Sequence, residues 1–307
     1  MLSNAPPIVV FAFDRPDHLQ RTLRALASCS EAAASALKVY CDGARRESDE
    51  ARVREVREVA SAAQGFASVE IIARERNVGL AASIIDGVTR HVQQHGRVIV
   101  LEDDILVSPY FLRYMHEGLA LYEHDERVAA IHGYIYPVAE TLPETFFLRG
   151  ADCWGWATWR RAWQHFEPDG QKLLSQLKAR GLEREFDLGG RYPYMKMLSN
   201  QTRGRNQSWA IRWQASVFLR DMLTLYPARS LVQNIGIDGS GTHSGAESDY
   251  EVDLTPTPVT VAPIAVEESR AALKAVGDFY GRALSLRKRV RRAVRTRWSR
   301  WIMKRAP

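Results

Sequence analysis

The chain has 307 residues, 46% apolar and 25% charged, an ordinary folded-protein composition long enough for one large α/β domain or two smaller ones. No run of 18 apolar residues occurs, so no segment reads as a membrane span. The net charge of +6 hides an asymmetry. Arg282 to Arg305 holds eleven Lys and Arg and no acid, and the remaining 31 of the 42 basic residues face 36 acidic ones, so a nucleic-acid reading would rest on that end alone.

Pro7 to Phe13 is an apolar, β-branched run that predicts a buried strand. Asp14 stands where a helix cap is expected and Pro16 in the first turn, after which Leu19, Leu23 and Leu26 recur at helical spacing. Leu37 to Cys41 predicts a second strand, ending at Asp42-Gly43. A charged helix over about Ser48 to Ala63 and a third strand at Val69 to Ala73 follow. Asn77-Val78-Gly79-Leu80 reads as a turn into a helix that runs through Val92. Val98 to Leu101 predicts a fourth strand, Pro109 to Tyr122 a helix and Val128 to Ile131 a fifth strand. Strands alternating with helices of this length predict βαβ units and a mostly parallel sheet flanked by helices.

Beyond residue 135 the alternation stops. Pro137, Pro143, Gly150 and a Trp-rich run predict that 136–250 is an irregular half of the same domain as 1–135. Thr255-Pro256-Thr257-Pro258 and Pro263 read as an extended connector within 251–281, a linker and helix. In 282–307, Leu286, Val290, Val294, Trp298, Trp301 and Ile302 recur every three or four residues among arginines, which predicts a basic amphipathic helix. Such a helix suits an anionic membrane surface, with nucleic acid or a docked partner as competing occupants. The three cysteines, Cys29, Cys41 and Cys153, have no CxxC spacing, and Met1 to Pro7 lacks the layout of a secretion signal. Both predict a cytoplasmic protein with reduced thiols.

The most informative motif is Glu102-Asp103-Asp104, placed directly after the fourth predicted strand. Adjacent carboxylates repel unless a cation or donors compensate them, and hard oxygen ligands suit Mg²⁺ or Mn²⁺. A solvated acidic loop is the plainer reading. Asp14-Arg15 and Asp42 stand at two other strand tips, and such tips converge on ligands in open α/β sheets. Arg15 suits a phosphate or the acids, or is a solvated residue behind a helix cap. Neither GxGxxG nor GxxxxGK[ST] is present, so a phosphate would be met by a metal rather than a glycine cradle. Trp154 and Trp156 flank Gly155 and are expected at a sugar or base, whereas Trp159 and Trp163, spaced i and i+4, are expected in the core. His243 ends a glycine-rich loop, where it either completes a metal shell with Asp104 or is exposed.

Together these segments, from Pro7 to Ser244, resemble the GT-A nucleotide-sugar glycosyltransferases, in particular the N-acetylglucosaminyltransferase I type and its bacterial relatives. Val10 to Arg15 resembles that family's first strand and donor-site Arg, and Tyr40-Cys41-Asp42-Gly43 the strand whose Asp recognises uracil. Val100 to Asp104 is similar to its DxD variant. The resemblance implies Asp104 on the metal, Asp103 at the ribose and Glu102 at the donor sugar, with Asn77 and Gly79 also on the donor. It implies that Trp154 and Trp156 line the sugar and that Gly241-Thr242-His243 closes over it. One departure is plain. The family's acidic base falls in the segment matching Asn206-Gln207-Ser208-Trp209, where Gln207 and Ser208 cannot take a proton. Asp152 and Asp187 are the substitutes nearest in sequence.

The reading is therefore a metal-dependent glycosyltransferase, hexosyl or N-acetylhexosaminyl, that moves sugar from a UDP-sugar to a hydroxyl of a glycan, polysaccharide or lipid-linked acceptor. Mn²⁺ or Mg²⁺ is the expected cofactor, and the tail is expected to hold the protein on the inner membrane face. Two alternatives are a sugar-phosphate nucleotidyltransferase and a non-catalytic, membrane-associated carbohydrate-binding protein.

Overall fold

A computed structural model describes residues 5–237 and 248–284. Ile8–Ala12 forms β1, wholly buried, as its β-branched run requires. Pro16–Ala27 forms α1, with Pro16 at its start and Leu19, Leu23 and Leu26 on the buried face. Next come β2 (Ala36–Cys41), α2 (Glu50–Ser61), β3 (Ser68–Ala73), α3 (Leu80–His95) and β4 (Arg97–Glu102). A three-residue strand, β5 (Ile105–Val107), follows β4 almost at once, then α4 (Phe111–Leu121) and β6 (Val128–His132).

The second half adds β7 (Thr145–Arg149), β8 (Trp156–Trp159) and four helices: α5 (Arg160–Trp163), α6 (Gly170–Ala179), α7 (Glu183–Phe186) and α8 (Tyr194–Thr202). It continues through α9 (Ala210–Phe218), β9 (Leu223–Pro227) and β10 (Val232–Asn234), and after the Pro-rich connector ends in α10 (Arg270–Ala283).

Eight strands make one sheet in the order β3-β2-β1-β4-β8-β6-β9-β7, and β10 pairs with β5 in a separate two-stranded sheet. The pairs β1–β2, β1–β4, β2–β3 and β6–β9 are parallel, whereas β8 runs antiparallel to both β4 and β6, and β7 antiparallel to β9. This is the expected α/β architecture, a mostly parallel, helix-flanked sheet. The boundary at residue 135 runs through it: β8, from the irregular half, inserts between β4 and β6.

The topology decides where a ligand goes. From β1 the chain winds outward to β2 and β3, then returns to place β4 on the other side of β1. A crevice opens at such a reversal, beyond the carboxyl ends of the strands. In register, Cys41 lies across from Ala12 and Glu102 across from Phe11, so the tips of β2, β1 and β4 end side by side. The acidic triplet stands at the reversal point.

Candidate functional site

The three acids do different jobs. Glu102 is the last residue of β4 and is half-buried. Asp103 is buried and turns toward β1, where its Oδ2 accepts the Phe13 backbone N–H at 3.3 Å. Its carbonyl accepts the hydroxyl of Thr22 on α1 at 2.8 Å, so Asp103 joins strand tip to helix. Asp104 follows at the reversal point, and its Oδ2 accepts from Arg15 Nη1 at 3.0 Å. Both side chains of this ion pair are largely enclosed, at 13% and 14% exposure. The other oxygen, Asp104 Oδ1, is buried with no hydrogen-bond partner among the described residues.

That arrangement is electrostatically unfinished. Burial first, then the repulsion of the neighbouring acids, pushes the Glu102 and Asp103 carboxyls well above the usual carboxylate range. Burial also raises Asp104, while Arg15 and His18 pull it back. Three crowded carboxyls, one with an orphaned oxygen, are chemistry that a divalent cation relieves. Among the described residues no group of three or more His, Cys, Asp or Glu could hold a metal ion. An ion here would have to complete its shell with phosphate oxygens or water. Asp104 would hold it, with Glu102 and Asp103 contributing negative charge.

The start of the glycine-rich loop, just beyond β10, packs against this pair. The Ile235 N–H donates to the Asp104 carbonyl at 2.9 Å, just beyond β10. A Cβ on Gly236 would overlap Asp104 Oδ2 and lie 2.8 Å from Arg15 Nη1, so a side chain there would displace the ion pair. His243 and the Gly241-Thr242 loop lie outside the described residues, as does the basic tail beyond Leu284.

The tip of β2 is organised as tightly. Asp42 is buried, and its carboxylate accepts the N–H groups of Gly43, Val78 and Gly79, each at 2.9 Å. Asn77 Nδ2 donates to the Gly43 carbonyl at 2.8 Å. Asp42, Asn77 and Gly79 thus form one interlocked turn on the β2 side of the crevice. Gly79 adopts φ 80°, a left-handed value that favours glycine. A Cβ there would lie 3.8 Å from Gln207 Oε1, so the residue standing at the expected base position is beside this turn.

The tryptophans separate. Trp154 is partly exposed, its backbone N–H donating to His132 Nε2 at 3.2 Å and its ring edge-on to Tyr134. Trp156 is not a donor-lining residue. It is fully buried in β8, paired in register with Val100 and packed among Trp163, Trp209 and Trp213. The reason is strand alternation: Gly155, at φ 61°, turns the chain into β8 and sends Trp156 to the core face. Trp159 and Trp163 are buried too, with indole N–H bonds to the Leu119 carbonyl and Thr89 Oγ1.

The two candidate bases also separate. Asp187 accepts the Met195 N–H at 2.7 Å, holding the corner between α7 and α8, and burial raises its carboxyl. Asp152 lies in the link from β7 to β8. Its Oδ2 accepts the hydroxyls of Tyr136 and Tyr226 at 2.8 and 3.0 Å. The thiol of its neighbour Cys153 is pushed up by burial and then by the charges of Glu102, Asp152 and Asp104. Tyr136, Tyr226 and Thr22 carry no motif that sequence reasoning could use.

No protein-family model matches this chain, and no curated protein matches it. Among solved structures, the apo form of mouse xyloside xylosyltransferase 1 aligns with 41% of this chain at 13% identity and a TM-score of 0.22. The alignment spans 51% of that protein, about half its length. An overlap this slight carries no argument about activity.

Proposed function

We propose that this protein is a metal-dependent glycosyltransferase that takes sugar from a UDP-sugar and passes it to a hydroxyl of a glycan, polysaccharide or lipid-linked acceptor. The observation that carries the proposal is Asp104, which stands at the sheet's reversal point with one oxygen paired to Arg15 and the other buried and unpartnered. The crowding of Glu102 and Asp103 beside it supports a divalent site, with Mn²⁺ or Mg²⁺ the fitting ions. A bound ion of this kind supplies charge neutralisation to a departing diphosphate. Arg15 would add a positive charge on the phosphate side. The turn held by Asp42 fits a nucleobase, and Trp154 fits a sugar face. The hexosyl or N-acetylhexosaminyl type follows from the motif resemblance.

The cationic segment 282–305 supports placement at an anionic membrane surface, on the inner face where lipid-linked acceptors are assembled. No helix among the described residues is long and apolar enough to cross a bilayer.

Incubation with UDP-N-acetylglucosamine, UDP-glucose and UDP-galactose in Mn²⁺ tests the reading. Wild type should release free UDP, and Asp104→Ala should reduce release at least about a hundredfold. Pyrophosphate in place of UDP would indicate a nucleotidyltransferase. Release unaffected by Asp104→Ala would refute the assignment.

A further inference from the structure

A hydroxyl that attacks a sugar must lose its proton, and Gln207 and Ser208 offer no group that can accept it at neutral pH. We propose that Asp152 takes this proton, and that Tyr136 and Tyr226 are positioning residues that aim its carboxylate. The assignment rests on the glycosyltransferase reading above and names the residue that completes it.

The surroundings of Asp152 support that task. Tyr136, in the stretch after β6, and Tyr226, on β9, both donate to the same oxygen, Oδ2. Two bonds from separate elements fix the carboxylate in position and leave Oδ1 outside this grip. Both phenols are themselves held. Tyr136 packs against Phe279 and Tyr280 of α10, with ring centroids 5.4 and 5.0 Å apart, and Tyr226 packs against His132 at 4.9 Å.

The other titratable groups that face Asp152 are His132 on β6, Cys153 beside it, Tyr134, Tyr194 on α8 and Tyr280 on α10. None of these is a cation at neutral pH, because burial holds His132 down at about 4. An arginine partner would stabilise the anion and weaken it as a base. Phenols steady a carboxylate without supplying a full counter-charge. The strand register sets Asp152 near the acidic triplet: β8 runs antiparallel to β4 with Trp156 opposite Val100, so the link that carries Asp152 enters β8 at the carboxyl end of β4.

The step balances. The acceptor oxygen bonds to the anomeric carbon of the UDP-sugar, and its proton passes to Asp152. The bond from that carbon to the diphosphate breaks, and its electron pair leaves on UDP.

The test measures UDP release from the three donors named above, with water as acceptor, in wild type, Asp152→Asn, Asp187→Asn, Tyr136→Phe and Tyr226→Phe. Calorimetric binding of UDP with Mn²⁺ is measured in parallel. Asp152→Asn should lose at least about a hundredfold in release while UDP binding stays within about twofold of wild type. Asp187→Asn should stay within about threefold. Each Tyr→Phe change keeps the ring and its packing. It should lower kcat about tenfold at unchanged donor KM.

Wild-type activity in Asp152→Asn, with UDP binding intact, would overturn the base assignment and leave the glycosyltransferase reading standing. Tyr→Phe variants with a lower melting temperature but an unchanged kcat would reduce the phenols to packing residues and overturn their positioning role. Absence of UDP binding in wild type would remove the parent reading and this assignment together.

Discussion

Gly236 and Trp156 show how much of this site depends on single positions. A methyl group at Gly236 has nowhere to go except into the Asp104 carboxylate, which must then swing away from Arg15. Gly236→Ala should therefore fold normally and lose about tenfold in Mn²⁺-dependent UDP affinity, read by calorimetry against an unchanged melting temperature. Unchanged affinity would mean that the segment beyond β10 does not bear on the ion pair. Trp156 and Trp154 make an opposed pair. Trp156→Ala empties the centre of a four-tryptophan cluster and should cost about 3–5 kcal/mol in denaturant unfolding. Trp154→Ala should cost far less stability and should instead weaken donor binding. Equal stability losses would contradict the division of roles.

At the scale of elements, the crevice is built by cross-linking strand tips. Asp103 joins the end of β4 to β1 and α1, and Asp42 joins the end of β2 to the turn before α3. Asp42→Asn would put an amide nitrogen against backbone N–H donors. It should destabilise the protein by about 2–3 kcal/mol in urea titration and loosen the Asn77–Gly79 turn. A loss below about 0.5 kcal/mol would show that the turn holds itself. The strands β1 to β4 and β6 were legible because each is a short, largely apolar run in the stretch where strands alternate with helical periods. Thr145–Arg149, Trp156–Trp159 and Leu223–Pro227 were not, because they are brief and are joined by irregular chain. Their strand character comes from the neighbours they pair with, and β8 finds its neighbours more than 20 residues away in sequence on both sides. The acids, Arg15 and Asp42 could be read because they adjoin strand ends. The Tyr136 and Tyr226 grip on Asp152 could not, since it depends on contacts across 16 and 74 residues.

Over the whole molecule, two buried sets of ionisable groups pull stability in opposite directions with pH. Burial holds His132 and His91 down at about 4, from an ordinary value of 6.5. The unfolded chain takes up those protons first, so stability is lost as pH falls from about 6.5 to about 4, roughly 3 kcal/mol for each histidine. The triplet has the opposite sign. Its carboxyls are raised in the native state, so the unfolded chain gives up those protons first and stability is lost as pH rises above the ordinary carboxylate range. Above about pH 7 the histidines no longer titrate and the triplet dominates. The metal-free protein should then melt at falling temperature as pH rises from about 7 to 9, and Mn²⁺ should cancel that decline by favouring the ionised acids. A flat profile that Mn²⁺ does not alter would contradict the view of the triplet as an unfinished cation site.

The central claim is that the unpartnered oxygen of Asp104 takes a divalent ion together with a nucleoside diphosphate. Isothermal titration of UDP into wild type and Asp104→Asn, each with Mn²⁺ and with chelator, tests it most directly. Wild type should bind UDP at least about tenfold more tightly with Mn²⁺ than with chelator, and Asp104→Asn should bind it equally weakly in both. Metal-independent UDP binding in wild type, or an undiminished Mn²⁺ effect in Asp104→Asn, would contradict the account.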